Sequence, residues 1–147
     1  MLIVILLAAC SGNGSFLSEQ ESSSIEDISV TTIEGLSCRT EQDTYSTDTT
    51  VIKILLENQT NSSYSFDSNI SIIEKLENNQ WIILPLNNDA LNLGAGVSLK
   101  QGKSAQAELQ TSIFLDNPTP GRYRAILPMK SDDTNEEYNL SAEFNLK

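Results

Sequence analysis

Arg122 and Arg124 stand two residues apart in the stretch GRYRAIL. On a strand, that spacing projects both guanidinium groups from one face, where together they could take a carboxylate or a phosphate through forked hydrogen bonds. The same spacing also suits a solvated sheet face on which the arginines pair across strands with acids such as Glu143. Trp81 offers a second chemistry, stacking against a flat or sugar-like ligand, with packing at a sheet edge as the plainer role. Asp132, Asp133, Glu136 and Glu137 supply the oxygens a hard cation such as Ca²⁺ prefers. They lack the ordered spacing of an EF-hand, so a solvated hairpin tip is expected there and no metal site. Cys38 has no CxxC partner, and a small buried hydrophobe is expected rather than a reactive thiol.

Missing residue types narrow the chemistry further. The chain contains no histidine, which removes the usual neutral-pH base, the commonest metal ligand and every imidazole-dependent triad. Neither a GxSxG elbow nor an SxxK pair is present to activate a serine. Catalysis and a cofactor are therefore not expected, and a hydrolase working through paired carboxylates is the enzymatic alternative. With 20 acidic and 9 basic residues the formal net charge is -11. An electrostatic grip on nucleic acid or on an anionic membrane surface is disfavoured.

The chain opens with an apolar run from Leu2 to Ala9 that is too short to span a bilayer as a helix, which takes about 20 residues. Its end, Leu7-Ala8-Ala9-Cys10, resembles the bacterial lipobox: a branched apolar residue, two small residues and a cysteine. The resemblance implies cleavage before Cys10 and a diacylglycerol thioether on its sulfur. No Lys or Arg precedes Cys10, a departure from the charged start usual in such signals. Residues 1–9 are thus expected to be a lipoprotein signal peptide, and residues 10–29 a lipidated cysteine with a flexible tether. The tether stretch SGNGSFLSEQESSSIED is rich in Ser, Gly and acids and too poor in apolar residues to order itself. Facing the extracytoplasmic side of a cell membrane or an outer membrane is the implied location. The sequons at Asn58, Asn61, Asn69 and Asn139 would matter only in a eukaryotic secretory pathway.

Residues 30–147 read as strands. VIKILLE (51–57) places Ile52, Ile54 and Leu56 on one face. A short strand in SYSF precedes a hairpin of Ile70 to Leu76 and Trp81 to Leu84, joined by the polar ENNQ. After an Asn- and Gly-rich loop from Asn87 to Gly96, SAQAELQ (104–110) points Ala105, Ala107 and Leu109 inward. Its partner is expected to be the next strand, which follows a Pro120-Gly121 turn and sets Tyr123, Ala125 and Leu127 opposite Arg122 and Arg124. EYNLSAEFNLK alternates without interruption, with Tyr138, Leu140, Ala142, Phe144 and Leu146 on one face. Seven or eight short strands separated by turn clusters predict an all-β, immunoglobulin-like antiparallel β-sandwich. The antibody-type disulfide is absent, and Tyr123 occupies the place of a tyrosine corner.

The order ILLENQTNSSYSF, SIIEKLENNQWIILP, GAGVSLKQGKSAQAEL and PGRYRAIL resembles a bacterial immunoglobulin-like domain of secreted and lipid-anchored proteins. Asn58, Glu74, Trp81, Gly102 to Ser104 and Pro120 to Arg124 carry the resemblance, which covers about residues 30 to 147. It implies a fold and an extracytoplasmic setting, with no catalytic activity, cofactor or common ligand. The expected role is a binding or scaffolding module for an envelope protein or ligand. One alternative is a protease inhibitor presenting Leu91 and Leu93 on the Asn87–Gly96 loop. Another is a carbohydrate or small-ligand module built around Trp81.

Overall fold

Strands form where β-branched and aromatic residues alternate with polar ones, and they end where Asn, Gly, Pro and Ser cluster. The computed structural model describes residues 28–87, 89, 94–114 and 116–147. The signal peptide with Leu7, Ala8 and Ala9, the lipidation residue Cys10, most of the tether, and the loop residues Leu91 and Leu93 lie outside the described residues. Among the described residues there are ten strands: β1 (Leu36–Thr40), β2 (Thr44–Tyr45), β3 (Val51–Asn58), β4 (Tyr64–Asp67), β5 (Ile72–Glu77), β6 (Gln80–Ile83), β7 (Gly96–Leu99), β8 (Ser104–Gln110), β9 (Gly121–Ser131) and β10 (Glu137–Leu146). A 3₁₀ turn spans Thr111–Ile113. The strands absent from the sequence reading, β1, β2 and β7, are short or built on Ser, Cys and Gly, which blur the period-two pattern.

Two sheets pack as a sandwich. The smaller has the order β1-β3-β8 and the larger runs β2-β10-β9-β4-β7, with β5 also on β9 and β6 on β5. The expected pairing of SAQAELQ with the strand after Pro120-Gly121 is therefore corrected: β8 pairs with β3, Leu109 opposite Ile52, while β9 pairs with β10 in the other sheet. Alternation along a strand says which side chains face inward and carries no information about the neighbour. One pair also departs from an all-antiparallel sandwich, since β2 runs parallel to β10.

Strand β9 organises the larger sheet. Its edge away from β10 is shared: Tyr123 to Ile126 pair with β5, and Met129 to Ser131 pair with β4. Pro128 falls in the gap between the two partners. Proline has no N–H to give a ladder, so the sheet divides where one donor is missing. The β5–β6 turn is tighter than ENNQ implied. Asn78 and Asn79 alone make it, with φ of 50° and 63°, values that suit a two-residue hairpin turn and that Asn tolerates better than most residues.

The inward faces fill the core as the alternation predicts. Ile52, Ile54 and Leu56 are fully buried beside Ala107 and Leu109 of the same sheet, and Tyr123, Ala125, Leu127, Leu140, Ala142 and Phe144 close the other side. Four aromatic rings run through it: Tyr45 meets Phe144 edge-on, Phe144 stacks on Tyr123 at 5.6 Å between centroids, and Tyr123 meets Phe114 edge-on. The Tyr123 hydroxyl donates to the carbonyl of Thr119 at 2.6 Å. That bond reaches back four residues from near the start of β9, which makes Tyr123 a tyrosine corner.

Asn58 fastens the opposite end. Its amide nitrogen donates to the carbonyls of Ser62 at 2.8 Å and Leu99 at 3.0 Å, and its Oδ1 accepts from the Thr60 amide and hydroxyl. Gly102, in the left-handed region at φ 68°, donates its N–H to the Asn58 carbonyl at 2.7 Å. The turn before β8 is thereby tied to the end of β3. This sequon asparagine is 1% exposed and spends its amide on the fold.

Candidate functional site

On the outward face of the larger sheet, period-two alternation brings together residues from four strands. Ladder register sets Trp81 of β6 opposite Leu76 of β5, Ile83 opposite Glu74, Glu74 opposite Arg124 of β9, and Arg124 opposite Glu143 of β10. Arg122 and Arg124 project from this one face, as their spacing requires. Their surroundings differ sharply. The Arg124 side chain is 11% exposed and the Glu74 side chain 1%, whereas Arg122 and Glu143 are 55% and 44% exposed.

Two ion pairs result. Arg124 Nε donates to Oε2 of Glu74 in a buried pair. Arg122 Nε donates to Oε2 of Glu143 at 2.9 Å, joined on the same oxygen by Nη2. Arg124 stands directly across from both acids and takes Glu74, leaving Glu143 to the diagonal arginine. The cross-strand pairing to Glu143 anticipated in the sequence is thus realised through Arg122. Trp81 lies against both guanidinium groups, with the Arg124 Cζ 4.6 Å and the Arg122 Cζ 5.9 Å from its ring centroid. Both distances lie within the range for cation–π attraction.

The expectation of a solvated arginine face is therefore corrected in part. Arg124 and the neighbouring Ile126 are buried, because β5 and β6 bring Glu74 and Trp81 alongside them. Arg122 is the arginine open to solvent. Trp81 is half-buried and already engaged by two cations, which leaves less of its ring for a sugar. Glu74 is the member of this group that reasoning about sites missed. Its signal was the single acid set between Ile73 and Lys75, where a strand's buried segment should be apolar. Glu74 Oε1 is buried without a hydrogen-bond donor, so part of the desolvation cost of this pair is left uncompensated.

The remaining candidates fall elsewhere. Cys38 lies on β1, packed against the core, and burial pushes its thiol up to about 12. Cys38 is half-buried rather than fully buried, and its sulfur stays protonated at neutral pH. At the β9–β10 hairpin tip the acids do not converge; among the described residues no group of three potential ligands is placed to hold a metal. Glu136 there accepts from the Tyr138 hydroxyl at 2.6 Å and from Thr134 at 3.2 Å. The Tyr138 bond, helped by Thr134, holds its carboxyl below the usual range.

A cleft of about 180 Å³ opens at the Pro118–Thr119 end of the sandwich, lined by Lys75, Phe114, Asp116 and Tyr123 among others. It is smaller than the few hundred Å³ typical of small-molecule sites. Lys75 is occupied within it, donating to the Thr119 hydroxyl at 2.8 Å, lying 5.7 Å from the Tyr123 ring centroid and pairing with Glu77 at 3.5 Å.

The sequence profile of the family described as Bacterial Ig-like domain matches residues 32–145. No curated protein matches the chain. Among solved structures it is similar to a family 123 glycoside hydrolase from Clostridium perfringens, the subject of work on glycolipid glycan hydrolysis. That likeness is 15% identical with a TM-score of 0.33, over 76% of this chain and 27% of the other. The chain thus spans about a quarter of that enzyme's length, and a similarity so distant bears on no functional residue.

Proposed function

This chain belongs to the bacterial Ig-like domain family, and on that premise we propose that it is a lipid-anchored envelope module that binds a partner through the outward β6-β5-β9-β10 face. Cys10 carries the diacylglycerol anchor, the Ser- and acid-rich stretch after it is the leash, and the sandwich faces the extracytoplasmic side. No catalysis is proposed, and with a net charge of -11 no nucleic-acid partner either.

One observation carries the binding role. Arg122 lies 5.9 Å from the Trp81 ring, and two residues along the same face of β6 stands Ile83, the exposed large hydrophobic residue among the described residues. Arginine and tryptophan are among the residues enriched where the energy of protein interfaces concentrates. The open arginine would give direction by taking a partner's carboxylate in a forked bond.

The test has two arms. Cys10→Ser moves the protein from the membrane fraction to the soluble one while its thermal transition is unchanged; retention in the membrane removes the anchor. Capture from solubilised envelope with Arg122→Ala loses the partner or weakens it by about tenfold. A partner held equally well by the variant places the working surface elsewhere.

A further inference from the structure

Among the described residues β6 pairs with β5 alone, and β5 meets β9 from Ile72 to Lys75. Trp81 on β6 therefore shares no ladder with β9, and its place over the arginines of that strand is set by side chains. The two χ torsions of an indole at such an edge would otherwise be free to turn it toward solvent.

The two cations against the ring are unequal. The Arg124 Cζ is 4.6 Å from the ring centroid and the Arg122 Cζ 5.9 Å. Arg124 is also the fixed one. Its ladder neighbours are Glu74 on one side and Glu143 on the other, its Nε is bonded to the Glu74 carboxylate, and both members of that pair are buried. Arg122 is mostly open to water. Cation–π attraction strengthens as the cation loses its water, so the buried guanidinium holds the ring and the open one leans on it.

The cost of the buried pair points the same way. Glu74 Oε1 is left without a donor, and apolar residues at two such positions are often at least as stable as an ion pair. What they lack is a fixed, planar, positive surface on which an indole can lie. We infer that Arg124 is the positioning residue of the outward face: Glu74 fixes its guanidinium, and the guanidinium fixes the Trp81 ring. Arg122 is then held by Glu143 from the β10 side and by the ring from the β5 side. The two arginines divide the work, one setting the ring in place and the other facing outward.

This role serves the partner-binding reading of the face and rests on it for its purpose. Its test needs only the purified chain, so the two fail separately. Trp81 is the one tryptophan of the sequence, and its fluorescence and indole N–H report on its position directly. In the native chain the indole Nε1–H order parameter is expected to match the strands, at about 0.85; a value below about 0.6 overturns the inference without any variant. Arg124→Lys keeps a positive charge for Glu74 and replaces the planar fork by a point charge. Acrylamide quenching of Trp81 is expected to rise about twofold in this variant, with the indole order parameter falling, while far-UV circular dichroism is unchanged. Glu74→Gln, which slackens the hold on the guanidinium without touching the ring, should move both readings the same way by less, and it decides the matter if Arg124→Lys does not fold. Arg122→Ala removes the farther cation and should leave both readings nearly unaltered. Trp81 equally ordered and shielded in Arg124→Lys and Glu74→Gln overturns the role, and so does a larger change in Arg122→Ala than in either.

Discussion

The two faces of β9 are a controlled comparison within one strand. Inward, Tyr123, Ala125 and Leu127 meet Phe144, Ala142 and the smaller sheet, and the energy comes from close-packed apolar contact. Outward, Arg122, Arg124 and Ile126 alternate with them, and two of the three are also buried. The outward face adds matched charges and an indole ring to the buried Ile126. Apolar packing tolerates substitutions that conserve volume. A buried charge tolerates almost nothing unless its partner changes too.

That contrast predicts a graded set of losses. Arg124→Ala strands the Glu74 carboxylate in the sheet and should cost about 3–5 kcal/mol in urea unfolding, while adding Glu74→Leu to an Arg124→Met background should recover much of it. A loss below about 1 kcal/mol in the single variant would mean that the pair is solvated and that the two faces do not differ in kind. Tyr123→Phe keeps the stacked ring and removes only the bond to Thr119, leaving a carbonyl short of a donor. It should cost about 1–3 kcal/mol, read as a lower urea midpoint with an unchanged slope. Equal stability would show that the inward face is held by area alone. Arg122→Ala should cost less than about 1 kcal/mol, because both side chains of its pair with Glu143 are about half exposed. This last variant sharpens the comparison most, since the same ladder positions, one step along, separate a structural arginine from an available one.

How far these differences were legible in the sequence depends on the residue. Ile52, Ile54 and Leu56, or Leu140, Ala142 and Phe144, announce their burial by alternation alone. Tyr123 was legible by position, one residue past Pro-Gly-Arg at the start of a strand. The pairing of an arginine with Glu143 was legible as a type of contact, though not as Arg122 across a diagonal. Glu74 was not recognised as half of a site. Nothing within SIIEKLE says that an arginine fifty residues later will stand beside it.

β1, β2 and β7 were missed for a related reason: a strand that is very short, or is built on Ser, Cys or Gly, is held by its neighbours rather than by its own propensity. The choice of β3 over β9 as the partner of β8 belongs to the same class. Local residues determine which way a side chain faces, whereas long-range assembly determines what it meets.

The sequence by itself determined that this is a β protein, where most long strands lie, which of their faces go inward, and that the chain lacks imidazole chemistry. Those properties follow from short-range sterics and from removing apolar surface from water, which act within a few residues. Only the tertiary structure decided that Arg124 is buried and Arg122 open, that the sheet divides at Pro128, and that among the described residues β6 pairs with β5 alone. Each of these depends on hydrogen-bonded neighbours distant in the chain, and period-two alternation is identical whichever neighbour arrives.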